Sequence, residues 1–458
     1  MITQQDLVVR TLGARTVPSG LGLSTIPGDE VADYVKDGAR VLLNVEMVEG
    51  GEPPQSLLLE KAGPREEIFF EPSYTTAAIV TCGGLCPGIN NVIRSMVLQL
   101  HHKYRVRRVI GYRYGYQGLD PASGLRPMEL GPDQVAHIHR QGGSFLGLSR
   151  GRRDVGVMVD TLVRDGVDIL FAIGGDGTQR GARAIELEVE RRGLSIAVIG
   201  VPKTVDNDVA FVDKTFGFDT AVELARLAVD AAHTEAIGAR NGVGIVKLMG
   251  RDSGFIAAAA ALASRDVNYC LLPEVHYDLE GPEGLFAELE QRLQSRAHAL
   301  IVVAEGCGPN MGLLPPEHAA RDASGNVRYG SAGDIDVGPR LRDAITQHFS
   351  RVGRDVTVKY IDPSYMIRSV PANAQDSIFC DALARHAVHA GMAGKTGIIV
   401  GRTHRIFTHV PLSVVTSQRK CIDPDGDLWL AVTETTGQPP LRARGTSRSS
   451  EFPVAVLD

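Results

Sequence analysis

Short apolar runs alternate with longer amphipathic stretches along most of this chain. From about residue 75 onward, apolar or β-branched runs of five to seven residues end in Gly, Pro or a polar residue, which is typical of buried parallel strands. We predict strands at 41–45, 77–81, 107–111, 167–173, 196–201, 243–248, 299–304, 356–360 and 396–400. Apolar residues at helical spacing predict helices between them, among others at 90–100, 220–236 and 284–294. This alternation indicates repeated βα units.

The βα units are numerous enough for two lobes. We therefore expect an α/β protein with two doubly wound, Rossmann-like lobes, mostly parallel sheets and an N-terminal accessory segment. The accessory segment spans residues 1–74 and contains one strand candidate among loose turns. Residues 75–217 form the first lobe, to which part of 367–415 returns. Residues 218–366 form the second lobe, and residues 416–458 form a C-terminal segment.

Composition and charge exclude several classes of protein. The chain has 458 residues, too many for one hydrophobic core, and a formal net charge of −6 with acids and bases interspersed. We therefore expect neither nucleic acid nor a membrane as a partner, and we interpret the basic stretch 442–448 as a solvated terminus. The first residues do not form a secretory leader, and no apolar run approaches a membrane-spanning length. We expect a cytoplasmic protein.

Six cysteines are scattered along the chain, most of them in or beside apolar runs. We expect free buried thiols, as is usual in a reducing compartment. Cys82 and Cys86 could form half of a zinc site, but no second Cys or His pair at a suitable spacing completes it.

An acidic glycine-rich loop follows the strand candidate 167–173. It reads Gly174-Gly175-Asp176-Gly177-Thr178, and loops at the carboxyl ends of parallel strands face the ligand crevice of such sheets. Asp176 could there hold a Mg²⁺ ion that bridges nucleotide phosphates. Gly181 would let the next helix begin close to the ligand. Two alternatives stay open: Asp176 could be a plain helix N-cap, and similar loops occur in NAD kinases and lipid kinases.

A second acidic loop follows the strand candidate 196–201 and reads Lys203-Thr204-Val205-Asp206-Asn207-Asp208. If this loop is extended, its two aspartates point to the same side. One could deprotonate an acceptor hydroxyl while the other holds a metal ion or orients it, and Lys203 could offset charge on a transferring phosphoryl group. A plain Asx-turn is the alternative.

The loop 83–88, Gly-Gly-Leu-Cys-Pro-Gly, joins a strand to a helix. Its backbone N–H groups and the positive end of the helix dipole could therefore face an anion. The spacing fits neither the Walker A motif nor G-x-G-x-x-G, so a tight connection is an equal alternative.

Three polar groups close later strands. Arg251, in Met249-Gly250-Arg251, could make bidentate contacts to a phosphate, or it could form a surface salt bridge. Glu305 could bind sugar hydroxyls or serve as a turn or N-cap acid. The segment 359–368 contains Lys359, Tyr365 and Arg368, which would bind a second phosphate if they converge.

Together these motifs resemble the phosphofructokinase family, whose signatures match in order from about residue 75 to residue 425. The resemblance implies Mg²⁺-dependent transfer of a phosphoryl group from ATP to the 1-hydroxyl of fructose 6-phosphate, giving fructose 1,6-bisphosphate and ADP. It implies that residues 75–217 bind the nucleotide and Mg²⁺ and that residues 218–366 bind the sugar phosphate. It also implies a homo-oligomer, either a dimer or a tetramer.

The resemblance also implies roles for individual residues. Asp206 matches the proton acceptor and Asp176 the Mg²⁺ ligand, while Lys203, Arg251 and Asp208 assist the transfer. The nucleotide site would comprise Gly84, Arg150, Gly151, Gly175, Asp176, Gly177, Thr178 and Gly181. The sugar-phosphate site would comprise Thr204, Val205, Asp206, Met249, Gly250, Arg251, Glu305, Lys359, Tyr365, Met366, Ile367 and Arg368.

The two residues that bear on the phosphoryl donor disagree. Pyrophosphate-using members carry Asp at the position of Gly177, where that side chain would crowd the α-phosphate of ATP. Lys203 points the other way, because pyrophosphate enzymes share it. The mixed pair resembles the ATP-using branch of plants and trypanosomatids, so we expect ATP, with a pyrophosphate-dependent phosphofructokinase as the alternative.

Other features limit the resemblance. Gly242, Lys359 and Tyr365 depart from the common bacterial pattern, which puts the pocket for the sugar 6-phosphate in question. A non-catalytic regulatory subunit is a remote alternative, because such subunits lose a metal or base carboxylate that this chain keeps. An NAD or lipid kinase would leave Met249-Gly250-Arg251 unexplained.

Overall fold

The computed structural model describes residues 2–46, 57–313 and 336–442. Its strands are β1 (Arg10–Thr11), β2 (Val17–Pro18), β3 (Arg40–Leu42), β4 (Leu58–Lys61), β5 (Glu67–Ile68), β6 (Thr76–Thr81), β7 (Arg108–Tyr112), β8 (Met128–Glu129), β9 (Ile169–Gly174), β10 (Ala197–Pro202), β11 (Gly242–Leu248), β12 (Tyr269–Leu271), β13 (His298–Ala304), β14 (Thr357–Ile361), β15 (Lys395–Thr396), β16 (Ile398–Thr403) and β17 (Ile406–Pro411). Its α-helices are α1 (Ile89–Leu98), α2 (Pro132–Val135), α3 (Val155–Arg164), α4 (Asp176–Arg191), α5 (Phe218–Ile237), α6 (Phe255–Ser264), α7 (Leu285–Arg296), α8 (Val337–Arg351), α9 (Ser364–Arg368), α10 (Ala374–Met392), α11 (Leu412–Val415) and α12 (Asp427–Thr436).

The first lobe is built on a large mixed sheet. Within the described residues its strand order is β3-β4-β17-β16-β10-β9-β6-β7-β8. The five strands from β16 to β7 run parallel, and antiparallel strands close both edges. All residues of β6, β9 and β10 are buried, because helices cover both faces of the parallel part. The predicted strands in this lobe lie within a few residues of the observed ones.

The second lobe has a parallel sheet with the order β12-β13-β11-β14. Alternate residues of β11 serve two cores: Val243 and Ile245 pack with α7 and α8, while Val246 and Leu248 pack with α5 and α6. The period of two places successive side chains on opposite faces of the sheet. The chain is therefore an α/β protein with two doubly wound, mostly parallel lobes, as the hydrophobic pattern predicts.

Residues 2–46 and 57–74, the described part of the accessory segment, pack onto the first lobe. Strand β1 pairs with β15, β2 pairs with β5, and β3 and β4 extend the large sheet beyond β17. The strand predicted at 41–45 is shorter than expected and occupies Arg40–Leu42. The accessory segment therefore completes one edge of the first lobe.

The C-terminal part of the chain, from α10 to α12, contributes elements to both lobes. Helix α10 packs on α1 of the first lobe, and β16 and β17 join the large sheet. Helix α12 then packs on α6 of the second lobe. Of the basic stretch predicted at 442–448, all but Arg442 lies outside the described residues.

Two sequence predictions concern the whole chain. All six cysteines are free, and five of them are buried, as expected. Within the described ranges, no helix is both long and apolar enough to cross a membrane.

Candidate active site

A cleft of about 360 Å³ lies between the two lobes, at the carboxyl ends of the parallel strands. Most residues that sequence motifs single out line it. They are Gly84, Arg150, Gly151, Gly175, Asp176, Gly177, Thr178, Lys203, Thr204, Val205, Asp206, Asp208, Met249, Arg251, Glu305, Tyr365 and Arg368. Distant segments of the chain therefore meet at one place, as expected for the crevice of doubly wound sheets.

The N-terminus of α4 forms one wall of the cleft. Helix α4 begins directly after β9, with Gly175 at the N-cap and Asp176 as the first helical residue. The alternative in which Asp176 is itself the N-cap is therefore wrong. A Cβ atom on Gly174 would lie 2.1 Å from Thr178 Oγ1, so only glycine allows the helix to turn this tightly out of the strand. Because Gly175 has no capping side chain, the positive helix end is available to an anion.

The Asp176 carboxylate lies at the cleft and has two cationic neighbours. Its Oδ2 is 2.7 Å from Arg180 on the same helix and 3.2 Å from Arg419 in the C-terminal segment. The carboxylate is therefore flanked by two positive charges.

Lys203 connects the glycine loop to the acidic loop. Its side chain is buried, and its Nζ donates a hydrogen bond of 2.6 Å to the Gly84 carbonyl oxygen. Burial lowers the pKa of Lys203. A Cβ atom on Gly84 would lie 3.1 Å from Arg150 Nη2, so the glycine leaves room for this guanidinium. The loop 83–88 is thus part of the cleft wall, with two cations beside it.

The acidic loop is a turn held by its own polar side chains. The Asp206 N–H donates to Thr204 Oγ1 at 3.1 Å, and Asn207 takes a left-handed conformation with φ of 56°. Asn207 Oδ1 accepts from the Thr215 N–H at 3.0 Å, and the Thr215 hydroxyl donates to the Thr204 carbonyl oxygen at 2.7 Å. The loop is therefore a turn, as one interpretation of the sequence holds. The turn also places Asp206 in the cleft, so a catalytic role for Asp206 is compatible with it.

Asp206 has the most distinctive electrostatics of the site. Its Oδ1 is buried and has no hydrogen-bond partner among the described residues. Burial raises the pKa of Asp206 to about 7, and the nearby carboxylates of Asp208 and Glu305 add to the effect. The cations Arg251 and Lys203 act in the opposite direction. A carboxylate that titrates near neutrality is suited to accept a proton.

The second lobe supplies the opposite wall. Strands β11 and β13 are neighbours in register, with Leu248 opposite Ala304, so Met249 and Glu305 leave the sheet side by side. Arg251 Nε lies 3.9 Å from Glu305 Oε1. Burial raises the pKa of Glu305.

Glycines make this close approach possible. A Cβ atom on Gly306 would lie 1.6 Å from the Arg251 carbonyl oxygen. Gly250 has φ of 129°, and a Cβ atom there would lie 2.3 Å from the Ser253 carbonyl oxygen. Gly250 does not line the cleft, so it shapes the loop that carries Arg251 rather than contacting a ligand.

The structure does not bring four other predicted residues to the cleft. Gly181 faces the Tyr116 ring. Because glycine has no side chain, the ring can pack directly on α4. Ile367 is buried in the core, and Met366 is exposed outside the cleft. Lys359 lies on the surface of β14, with its Nζ 3.9 Å from Glu235. Within this chain Lys359 therefore does not converge with Tyr365 and Arg368.

Three charged residues of the cleft were not predicted from the sequence as site residues. Lys247 is buried at the end of β11 and donates to Asp336 at 2.9 and 3.0 Å. Its Nζ is also 2.9 Å from Asp362, the second of the three. Burial alone would lower the pKa of Lys247, but the hydrogen bonds to Asp362 and Asp336 outweigh it and raise that pKa. The third, Arg419, lies in a stretch without any recognisable motif.

Two doubly wound lobes with carboxylates, buried cations and a free helix N-terminus in one cleft define an α/β phosphotransferase. The chain belongs to the phosphofructokinase family, because the family model described as Phosphofructokinase matches residues 76–391. The resemblance found in the motifs is thereby confirmed.

Relatives match over most of their length. An ATP-dependent 6-phosphofructokinase of Amycolatopsis methanolica is 48% identical over 442 residues, which covers 95% of each chain. The enzyme of the same name from Trypanosoma brucei brucei is 49% identical over 384 residues, covering 83% of this chain and 76% of the relative. ATP-dependent 6-phosphofructokinase 5, chloroplastic, of Arabidopsis thaliana is 45% identical over 381 residues, covering 83% and 69%.

Among solved structures, a pyrophosphate-dependent phosphofructokinase from Marinobacter aquaeolei superimposes with a TM-score of 0.64. The match covers 79% of this chain and 91% of that one, at 20% identity. The similarity confirms the fold.

Proposed function

We propose that this protein is an ATP-dependent 6-phosphofructokinase, which transfers the terminal phosphoryl group of ATP to the 1-hydroxyl of fructose 6-phosphate. One observation carries the proposal. Asp206 Oδ1 is buried and has no hydrogen-bond partner in the part of the chain that the structure describes. It lies in a cleft with the α4 N-terminus on one side and Arg251 with Glu305 on the other. The α4 N-terminus can bind the donor phosphates, Asp206 can accept a proton, and the side with Arg251 and Glu305 can bind the sugar.

ATP is the favoured donor. Gly177 is exposed in the first turn of α4, where it leaves space beside the donor phosphates. The relatives that are 45 to 49% identical are named ATP-dependent. Lys203, the residue shared with pyrophosphate enzymes, is engaged with the Gly84 carbonyl oxygen and so has a role that does not depend on the donor. Pyrophosphate use remains the alternative that the assay below tests.

The carboxylates of the cleft fit a magnesium ion. Asp176 already attracts two cationic side chains, and Asp206 has a buried oxygen that no described residue hydrogen-bonds. In the described part of the chain, no three His, Cys, Asp or Glu side chains form a closed metal site. This suits Mg²⁺, which is usually bound by one or two carboxylates together with phosphate oxygens and water. We propose Asp176 as its protein ligand; bound Mg²⁺ would neutralise charge on the donor phosphates.

The chain's own residues divide the work of transfer. We propose that Asp206 takes the proton of the acceptor hydroxyl, since its raised pKa makes it a base near neutral pH. Lys203 and Arg251 stabilise the charge that develops on the transferred group. Asp208 raises the proton affinity of Asp206, because two nearby carboxylates repel each other when both are ionised.

Binding residues complete the site. Gly84, Arg150 and the first turn of α4 hold the donor phosphates. Glu305 accepts hydrogen bonds from sugar hydroxyls. Arg368, whose guanidinium lies 4.8 Å from the Tyr365 ring centroid, is placed to bind the sugar 6-phosphate.

The first test measures formation of fructose 1,6-bisphosphate from fructose 6-phosphate and Mg²⁺, with ATP or pyrophosphate at matched concentrations. We expect activity with ATP. Activity with pyrophosphate alone would show that Lys203 is the better guide to the donor than Gly177. No activity with either donor, in protein that still binds fructose 6-phosphate, would favour a non-catalytic subunit.

We further propose that the protein acts in the cytoplasm as a homo-oligomer, a dimer or a tetramer. The free, mostly buried cysteines support a reducing compartment. Light scattering coupled to size-exclusion chromatography would give the mass of the assembly, and a mass of one chain would refute the oligomer.

A further inference from the structure

A short stretch of the C-terminal segment, residues 419–422, passes between the two lobes; we call it the interlobe strap. On its first-lobe side, Arg419 forms a β-bridge with Val209, and the Lys420 N–H donates to the Asp208 carbonyl oxygen at 3.0 Å. Lys420 Nζ also donates to the carbonyl oxygens of Val212 and Asp213 at 3.0 Å. The strap is therefore bonded to the same loop region that carries Asp208.

On its other side the strap contacts the second lobe. The Cys421 thiol donates to the Asp252 carbonyl oxygen at 3.4 Å, and the Ile422 N–H donates to Glu274 Oε1 at 2.9 Å. Glu274 in turn accepts from the Gly254 N–H at 2.9 Å. The strap thereby reaches the loop that follows Arg251.

The Arg419 side chain also connects the two lobes, through ion pairs with a carboxylate of each. One arm of its guanidinium is 3.2 Å from Asp176 Oδ2 on the first lobe. The other arm pairs with the Asp252 carboxylate on the second lobe. A planar guanidinium presents its N–H groups in a rigid fork and can therefore hold two carboxylates in a defined relative position.

We propose that Arg419 is a positioning residue that couples the donor and acceptor halves of the active site. It fixes the Asp176 carboxylate of the donor side relative to Asp252, the direct neighbour of Arg251 on the acceptor side. The proposal rests on the proposed function of this cleft. It adds a residue outside the stretch 76–391 that the family model matches.

Coupling is measured as the change that one ligand makes in the affinity for the other. Isothermal titration gives the affinity for fructose 6-phosphate with and without saturating Mg·ADP. We expect about a fivefold or larger change in the wild-type protein, within the usual range for coupled sites. Arg419→Met removes the charge at similar length, and we expect the change to fall below about twofold.

Arg180→Met is the matched control. Arg180 pairs with the same Asp176 oxygen at 2.7 Å, but it lies on α4 itself and is half-exposed. Because such surface pairs contribute little, we expect this variant to keep the wild-type coupling. Asp252→Asn tests the other end of the bridge: it should lose coupling as Arg419→Met does, and the double variant should lose no more.

The steady-state kinetics of Arg419→Met provide a second test of the proposal. We expect Arg419→Met to lower kcat by about 10- to 100-fold, as replacement of residues that orient metal ligands does, with KM for fructose 6-phosphate within about threefold of wild type. A general loss of structure would instead lower the melting temperature and the active fraction.

Three results would overturn the proposal: no coupling in the wild-type protein, retained coupling in Arg419→Met, or loss of coupling in Arg419→Met with full coupling in Asp252→Asn. The last would mean that Arg419 acts on the donor side alone. If Arg419→Met does not fold, Asp252→Asn decides by itself. The titration measures binding and needs no turnover. A wild-type protein that binds both ligands but transfers no phosphoryl group would therefore refute the proposed function, while the coupling test could still be carried out.

Discussion

Lys203 Nζ and the Gly84 carbonyl oxygen are 2.6 Å apart, which joins the loop before Asp206 to the glycine loop after β6. The ammonium group is buried, so its charge acts at short range in a region that excludes water. The bond places one cation beside both the proposed site of the donor phosphates and the proposed base. Lys203 therefore organises the site even where it does not identify the donor.

Replacing Lys203 by Met tests this role. The substitution removes the charge and leaves the Gly84 carbonyl oxygen without its donor, so we expect kcat to fall by about 10²- to 10³-fold. Steady-state kinetics with ATP would show the loss. Arg405→Met, on the exposed turn between β16 and β17, is a matched control that should change kcat by less than about twofold. A kcat within threefold of wild type in Lys203→Met would remove Lys203 from the transfer step.

Asp206→Asn tests the proton acceptor. If Asp206 is the base, we expect kcat to fall by about two to four decades while fructose 6-phosphate still binds. In the wild-type protein kcat/KM should rise with pH up to about 7 and then level off, because only the ionised form of Asp206, whose pKa burial raises to about 7, accepts a proton. A pH profile that is flat from 5.5 to 8.5 would contradict this assignment.

The raised pKa of Asp206 also predicts a change in stability. The folded protein holds this proton up to about pH 7, whereas an unfolded chain releases it near pH 4, so stability decreases as pH rises between these values. Asp206→Asn removes that penalty. Denaturant unfolding should show the variant more stable than wild type by about 4 kcal/mol at pH 8, with the difference shrinking toward pH 4. A constant difference across this range would argue against the raised pKa.

Gly177→Asp probes the choice of donor. A carboxylate in the exposed first turn of α4 would repel and crowd the phosphates of ATP, so we expect KM for ATP to rise about tenfold or more. Gly177→Asn has nearly the same size without the charge, and it separates repulsion from crowding. Unchanged use of ATP by both variants would mean that the nucleotide does not approach Gly177.

The buried carboxylate of Glu60 forms ion pairs that fasten the N-terminal segment to the first lobe. Its carboxylate on β4 lies 2.9 Å from Lys395 Nζ, 3.0 Å from His409 Nδ1 and 3.2 Å from Arg65 Nη2. Burial alone would raise the pKa of Glu60, but the interactions with His409 and Lys395 outweigh it and hold that pKa well below its usual range. This stabilisation is present above the pKa of an unfolded Glu, near 4, and is lost as the pH falls below it.

We therefore expect Glu60→Gln to cost about 3–5 kcal/mol of unfolding free energy at pH 7, because it leaves buried cations without their carboxylate. Urea denaturation measures this cost. The exposed Glu66→Gln, on the loop beside it, is the control and should cost less than about 0.5 kcal/mol. Equal stabilities of the two variants would show that the buried cluster contributes no net free energy.

Some structural features leave little local signal in the sequence. Strand β17 follows a two-residue turn in which His404 and Arg405 both have positive φ, of 49° and 65°. Such hairpin turns are usually recognised by Asn or Gly, and neither is present here. The sequence patterns therefore did not predict this edge of the large sheet, nor the pairing of β4 with β17 and of β3 with β4.

The sequence by itself determined the parallel strands, the loops at their carboxyl ends and the residue types that can carry phosphoryl transfer. Each of these depends on neighbours in the chain: an apolar run, a glycine turn, and an acid directly after them. Only the tertiary structure decided that Arg419 joins Asp176 to Asp252 and that Lys359 lies outside the cleft. Those outcomes depend on contacts between residues far apart in the chain, which burial and packing of whole elements establish and no short motif records.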